Sequence, residues 1–329
     1  MSLHAHARLH GVLQPLTEHK TIVGQVEKVN LAGIFLPVTT PFDPVTGDID
    51  TVAFRANLRC WFRSPIRGIL IAGSTGESVF LDDDERSTLI EAARQIAPGE
   101  AVVIAGTGSE STHHTIRLTR RAANAGADVV LVSPPSYYKG AMTAAVLTRH
   151  FKTVADASPV PVVVYQVPTH LSTLNLPTDL IEELSRHPNI TGIKDSRGRL
   201  ELVGELIEHS DEDFQVMVGN GALLYAGLET GAVGGIVATG LIAPAGAVEI
   251  SVAFQEGRSA DAARIQERIA PVHQQIVSGM GVPGVKAALD LLGLRGGIPR
   301  PPLGPISGRR IDEIREILTS AELLAATDA

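Results

Sequence analysis

The chain is poor in cysteine: Cys60 stands alone among 329 residues. That excludes an internal disulfide framework and fits a reducing compartment. Set close to Leu58, Trp61 and Phe62, Cys60 is expected to be a buried hydrophobe rather than a nucleophile. Runs of lysine and arginine are also missing, and the formal charge is -8 with a pI near 5.8. A nucleic acid or an anionic membrane is therefore a poor fit as main partner, and a small molecule a better one. No apolar run approaches the roughly 18 residues a membrane helix needs, so a cytoplasmic protein is expected. Acids are absent from the N-terminus before Glu18, while His4, His6, His10 and His19 accompany Arg8 and Lys20. This faintly resembles an organelle transit segment, yet amphipathic period and serine enrichment are both lacking, and residues 1–30 read as an untethered tail. Those histidines do not show the paired spacing of a structural metal site, and no metal is assigned.

What the chain does have is hydrophobic content of 44%, enough for a substantial core. From Leu31 onward, short apolar runs alternate with longer amphipathic segments, the mark of repeated βα units. The runs end at Thr40, Gly73, Gly106, Ser133, Val167, Ser196, Gly219 and Thr239. Helical periodicity lies between them, as in DDDERSTLIEAARQIA, STHHTIRLTRRAANAG and AAVLTRHFKTVADA. Eight such units in succession predict an α/β fold of the TIM (β/α)8 type over residues 31–258, with a doubly wound open sheet as the runner-up. Strands buried on both faces account for the continuous apolar runs. Three further helices are expected over residues 259–329, at Asp261 to Val277, Val285 to Leu292 and Arg310 to Ala326. The stretch Gly281 to Gly284 is read as the break between the first two.

In such a barrel the chemistry collects at the C-terminal ends of the strands. Lys194 interrupts an apolar strand there, in Ile190-Thr191-Gly192-Ile193-Lys194-Asp195-Ser196. An ammonium inside a barrel is costly unless paired, and burial favours the neutral amine. A neutral primary amine attacks a ketone to give an imine, and the protonated imine draws electrons from the adjacent carbon. A snorkelling or ion-paired lysine is the competing explanation, weakened by the groups on neighbouring strand ends. Tyr165 emerges from the fifth strand where a phenol could relay protons, although a core tyrosine is the ordinary reading. Alternation sends Asp195 to the opposite side from Lys194 and Ser196, leaving Ser196 either to meet substrate or to open the next loop. Gly73-Ser74-Thr75-Gly76-Glu77-Ser78 can offer hydroxyls and backbone N–H groups to a carboxylate, or be merely a tight turn. Gly106-Thr107-Gly108-Ser109 lacks the lysine of a phosphate loop, so Ser109 or Ser111, like Asp82 to Asp84, is read as a helix start.

Taken together, Pro37 to Phe42, Gly73 to Glu77, Tyr137-Tyr138, Val164 to Pro168 and Gly192 to Ser196 resemble the dihydrodipicolinate synthase and N-acetylneuraminate lyase family of class I aldolases. The resemblance runs from Leu31 to the C-terminal helices. It implies a Schiff base on Lys194, a proton relay through Tyr165 and Ser74, and a 2-oxo acid carboxylate on Ser74 and Thr75. It also implies a pyruvate pocket shaped by the backbone around Gly219 and Ile236. Tyr137 matches a tyrosine that in many members reaches the neighbouring subunit's site, and a homotetramer of two tight dimers is implied. No metal, nucleotide or prosthetic group is implied, since the lysine supplies the electron sink. Within the family, SYYKGAM, HPNITGIKDS and GAVGGIVA are similar to the 4-hydroxy-2-oxoglutarate aldolase branch of mitochondrial type, which releases pyruvate and glyoxylate. Synthases of the family carry an arginine two residues after the proline of their YNVP motif. This chain has His170 there, and Gln166 in place of the asparagine. Aldol cleavage of a 4-hydroxy-2-oxo acid is thus the expected activity. Condensation of pyruvate with aspartate semialdehyde, or conversion of a sugar-derived 2-oxo acid, is the alternative by the same imine chemistry, and a silent 2-oxo-acid-binding barrel the remaining one.

Overall fold

The computed structural model describes residues 29–325; residues 1–28, most of the expected tail, and the last four lie outside them. Eight parallel strands close into a barrel in sequence order. They are β1 (Gly33–Pro37), β2 (Gly68–Ile71), β3 (Val102–Gly106), β4 (Val129–Val132), β5 (Val162–Gln166), β6 (Ile190–Asp195), β7 (Gln215–Val218) and β8 (Gly234–Ile236). Closure pairs β1 with β8, Gly33 against Gly234. A Cβ on Gly234 would stand 2.0 Å from the Gly33 carbonyl oxygen, so this seam requires glycine.

Helices α1 (Thr51–Trp61), α2 (Asp83–Ile96), α3 (Thr112–Asn124), α4 (Ala144–Ala157), α5 (Thr178–Ser185), α6 (Leu200–His209) and α7 (Leu224–Thr230) follow the first seven strands. After β8 come a short α8 (Thr239–Ile242) and α9 (Pro244–Gln255). Their starts follow from local chemistry. Asp82 caps α2, accepting from the Asp84 and Glu85 N–H groups, while Glu85 reaches back to the Asp82 N–H in a full capping box. Ser111 caps α3 by accepting from His114 N–H, and both caps are as the sequence predicted. Apolar side chains divide by strand alternation. One cluster, with Phe35, Leu70, Ile104, Leu131, Tyr165, Met217 and Ile236, fills the barrel interior. A larger one lies between strands and helices. Trp61 is anchored in the outer cluster by donating from Nε1 to the Leu241 carbonyl at 3.0 Å. Cys60, one residue earlier, falls off the stripe that α1 buries through Phe54, Leu58 and Trp61 and is exposed, so the expectation of a buried thiol is corrected.

Beyond α9 the chain forms α10 (Ser259–Pro271), a π-helical segment Val272–Ser278, α11 (Gly281–Leu291) and α12 (Arg309–Ser320). Two expectations change here. Gly281 to Gly284 opens α11 rather than separating helices, because Pro283 sits in the first turn, where no intrahelical N–H is needed. The last helix stops at Ser320, short of Ala326. None of the described helices is long and apolar enough to cross a membrane.

Candidate active site

Lys194 reaches the barrel interior because of an irregularity. Val162 pairs with Ile190, but Val163 pairs with Gly192, so β6 carries one extra residue at this point. Ile190 and Ile193 therefore both face the outer cluster. Simple alternation from Ile190 would have turned Lys194 outward; the bulge turns it inward, beside Tyr165, its partner in the ladder. The Lys194 Nζ lies over the Tyr165 ring, 4.5 Å from its centroid. Both residues are buried, at 5% and 6% exposure. Among the described residues no carboxylate forms an ion pair with Lys194. The nearest in sequence, Asp195, points away and pairs with Arg197 in a buried bridge, as alternation predicted.

Ser196 and Gly219 complete this side of the mouth. The Gly219 N–H donates to the Asp195 carbonyl at 2.6 Å. A Cβ placed on Gly219 would lie 1.8 Å from Ser196 Oγ and 3.1 Å from Lys194 Cε, so the backbone here is pressed against both side chains. Ile236, fully buried, belongs to the interior cluster that contains Tyr165. The structure thus brings Lys194, Tyr165, Ser196, Gly219 and Ile236 to one end of the barrel.

Across the mouth, Ser74–Gly76 forms a single 3-10 turn after β2, with Ser74 and Thr75 half-buried. Two non-glycine residues in the left-handed region bracket it, Ala72 (φ 52) and Glu77 (φ 58). Each conformation costs about 1–2 kcal/mol, which the surroundings must offset. Thr40 donates to the Gly76 carbonyl at 2.8 Å. The Glu77 carboxylate faces Lys286 of α11 at 2.5 Å, with both side chains 1% exposed, and accepts from the Arg300 N–H at 2.8 Å. Burial holds the Lys286 ammonium below its ordinary pKa, and Glu77 opposes that shift. Nothing in the local sequence pattern points to this pair. The available signal was a lysine set among apolar residues in Val285-Lys286-Ala287-Ala288, with nothing nearby to mark its partner.

The loop after β5 is fixed at its base. Gln166 donates from Nε2 to the Val167 and Leu174 carbonyls and accepts from the Leu176 N–H at 2.7 Å. Arg197, besides pairing with Asp195, donates to Asn175 Oδ1 at 3.0 Å. His170 lies exposed on this loop. His273, on the π-helical segment, accepts the Gly221 N–H at Nδ1 (3.2 Å), which leaves its proton on Nε2, facing Ser278 Oγ. Desolvation, reinforced by His170, pushes the His273 pKa down to about 4.

Tyr137 stands apart from the cluster. It is 80% exposed on the loop after β4, edge-on to Tyr138, and its N–H and that of Ser136 donate to Glu110. Chemically the mouth offers one buried amine over a phenol, a hydroxyl beside that amine, and a hydroxyl-rich turn at the end of the opposite strand β2.

Residues 30–321 match the dihydrodipicolinate synthetase family. The chain is 34% identical over 275 residues to a 4-hydroxy-tetrahydrodipicolinate synthase of Exiguobacterium sp., covering 84% of this chain and 92% of that one. It is also 34% identical over 293 residues to a probable mitochondrial 4-hydroxy-2-oxoglutarate aldolase of Emericella nidulans, covering 88% and 94%. Among solved structures it resembles YagE, a prophage protein of Escherichia coli K12 in complex with pyruvate, at a TM-score of 0.84 and 28% identity, covering 90% and 100%.

Proposed function

The chain belongs to the dihydrodipicolinate synthetase family of class I, lysine-dependent aldolases and lyases, and from that premise we propose that it cleaves 4-hydroxy-2-oxoglutarate, or a related 4-hydroxy-2-oxo acid, reversibly to pyruvate and glyoxylate. The observation that carries the imine chemistry is the buried Lys194 amine over the Tyr165 ring, free of any carboxylate partner among the described residues. In this reading Ser74 and Thr75 hold the 2-oxo acid carboxylate. The Lys194 amine adds to the C2 carbonyl, and loss of water leaves a protonated imine. Tyr165, with Ser74, relays protons to and from the carbinolamine and removes the proton from the C4 hydroxyl. The C3–C4 bond then breaks, its electron pair passing into the imine to give an enamine while the C4 fragment departs as glyoxylate. Protonation at C3 and hydrolysis release pyruvate and restore the amine. Ser196, Gly219 and Ile236 line the pyruvate end.

The choice of aldehyde rests on the loop after β5. His170 stands where synthases of the family carry an arginine, and Arg197, the arginine anchored beside that loop, is committed to Asp195 and Asn175. The bidentate grip that would hold the carboxylate of aspartate semialdehyde is therefore missing at this position, which weakens the synthase reading. Synthesis of 4-hydroxy-tetrahydrodipicolinate from pyruvate and aspartate semialdehyde is the second reading, favoured by the name of the Exiguobacterium relative. With the aldolase reading go a cytoplasmic location and a homotetramer in which the exposed Tyr137 enters a neighbouring subunit's mouth and serves its proton relay.

Borohydride reduction with pyruvate followed by peptide mass spectrometry, and glyoxylate assay during incubation with 4-hydroxy-2-oxoglutarate, test the proposal. An adduct on Lys194 that is absent from Lys194→Ala, together with glyoxylate release, is expected. An adduct without release, accompanied by turnover of aspartate semialdehyde, would transfer the assignment to the synthase. No adduct at all would leave a silent 2-oxo-acid-binding barrel.

A further inference from the structure

Lys286 is one of the largest fully buried side chains of the molecule, and it lies outside the cluster around Lys194. It comes from α11, in the helical extension beyond the barrel, yet its Nζ sits 2.5 Å from Glu77, at the end of the turn that carries Ser74 and Thr75. The same ammonium donates to the Ile298 carbonyl at 3.0 Å and lies 4.5 Å from the Phe42 ring centroid. The other Glu77 oxygen accepts the Arg300 N–H. The Arg300 guanidinium covers the opposite flank of the turn, donating to Glu85 and to the Phe80 and Gly47 carbonyls and lying 4.2 Å from the same Phe42 ring. Two points of the extension, Lys286 and Arg300, thus converge on one carboxylate, and the Ile298 carbonyl holds the Lys286 ammonium in place.

A buried ion pair is a weak source of stability, because desolvation cancels much of the attraction, and it is better suited to selecting one conformation among several. The conformation here is an unusual one. Glu77 is left-handed (φ 58, ψ 36), and its own N–H donates to the Ser74 carbonyl at 3.1 Å, closing the turn. Without a fixed partner Glu77 would relax toward ordinary backbone angles, and the Ser74 and Thr75 hydroxyls would move with it.

We propose that the Lys286–Glu77 pair is a positioning device, through which the C-terminal extension holds the Ser74–Thr75 turn in the geometry that receives the carboxylate of the 2-oxo acid. This rests on the reading of that turn as the carboxylate subsite. Neither Lys286 nor Glu77 touches substrate, and their contribution is to affinity for the carboxylate rather than to the reactivity of Lys194.

The test is the double variant Lys286→Met/Glu77→Gln, which keeps side-chain volume and leaves no unpaired buried charge. The readout is borohydride trapping at Lys194 as a function of pyruvate concentration, with methyl pyruvate, which lacks the carboxylate charge, run in parallel. The half-saturating pyruvate concentration should rise about 10-fold or more, as the loss of one hydrogen bond to a charged carboxylate predicts, while the trapping rate at saturation and the methyl pyruvate curve stay as in the parent protein. A folded double variant with unchanged half-saturation for pyruvate would overturn the proposal. So would equal weakening for both ketones, which marks a general structural role. If the double variant does not fold, Glu77→Gln alone, which retains an oxygen for the Arg300 N–H, should show the same selective shift, and its absence is equally decisive. Failure of the parent protein to trap pyruvate would instead strike the reading of the site itself.

Discussion

Gly219→Ala probes the packing around the reactive amine more sharply than removal of the amine itself. The added methyl carbon would lie 1.8 Å from Ser196 Oγ, 2.8 Å from Ser196 Cβ and 3.1 Å from Lys194 Cε. Non-bonded carbon contacts settle near about 3.5–4.0 Å, so Ser196 has to retreat by more than an ångström and the lysine stem has to shift as well. Overpacking of this kind costs about 1–3 kcal/mol of stability, which leaves the fold intact. Displacement of the amine costs more in chemistry. A misplacement of about 1 Å lowers rate by about 100-fold, or about 2.7 kcal/mol in barrier. The assay is the rate of borohydride-trapped pyruvate adduct at Lys194, followed by peptide mass spectrometry, alongside a thermal melt. Adding Ser196→Gly removes the two closest contacts and should recover most of the lost rate, leaving only the tight approach to Lys194 Cε. If Gly219→Ala alone trapped pyruvate at the parent rate, the claim that Gly219, Ser196 and Lys194 form one packed unit would be wrong.

Tyr165→Phe keeps the ring beneath Lys194 Nζ but removes the phenol, so an adduct with pyruvate should still form while turnover falls by about 100-fold, within the range for loss of a general acid–base; unaltered turnover would take Tyr165 out of the relay. Acid should destabilise the fold through two buried histidines, His150 and His273, whose pKa values burial lowers from 6.5 to about 4. The sign follows from the unfolded chain binding protons first: the stability is fully present above the unfolded value and is lost as pH falls toward 4, amounting to about 2 kcal/mol per histidine by pH 5. Urea melts between pH 7.5 and pH 5 should register this, and His150→Gln should remove about half of the slope; a flat profile in the parent protein would refute it.

How much of this could be read in advance depended on the range of the interaction involved. The alternation of apolar runs and amphipathic segments marks eight successive βα units, because strand and helix periods are local properties of the chain, and it favours a (β/α)8 barrel over an open sheet; closure itself, β1 against β8, is a tertiary fact. The caps at Asp82 and Ser111 were legible for the same reason, since a cap bonds to residues two or three positions away. Lys194 and Tyr165 could be marked as candidates because a strand end in a barrel is a functional location whatever the rest of the chain does. Cys60 could not be placed: Leu58, Trp61 and Phe62 lie close to it in the chain, yet which residues share a buried stripe depends on the helix phase set by packing. The direction of Lys194 was also beyond the sequence, for one extra residue in β6 reverses every side chain after it, and only the pairing with β5 reveals the bulge. The contact of Gly219 with Ser196 and Lys194, and the meeting of Lys286 with Glu77, join segments far apart in the chain. Such contacts leave no periodic trace along the sequence, and they exist only once the barrel has closed and the C-terminal helices have packed against its mouth.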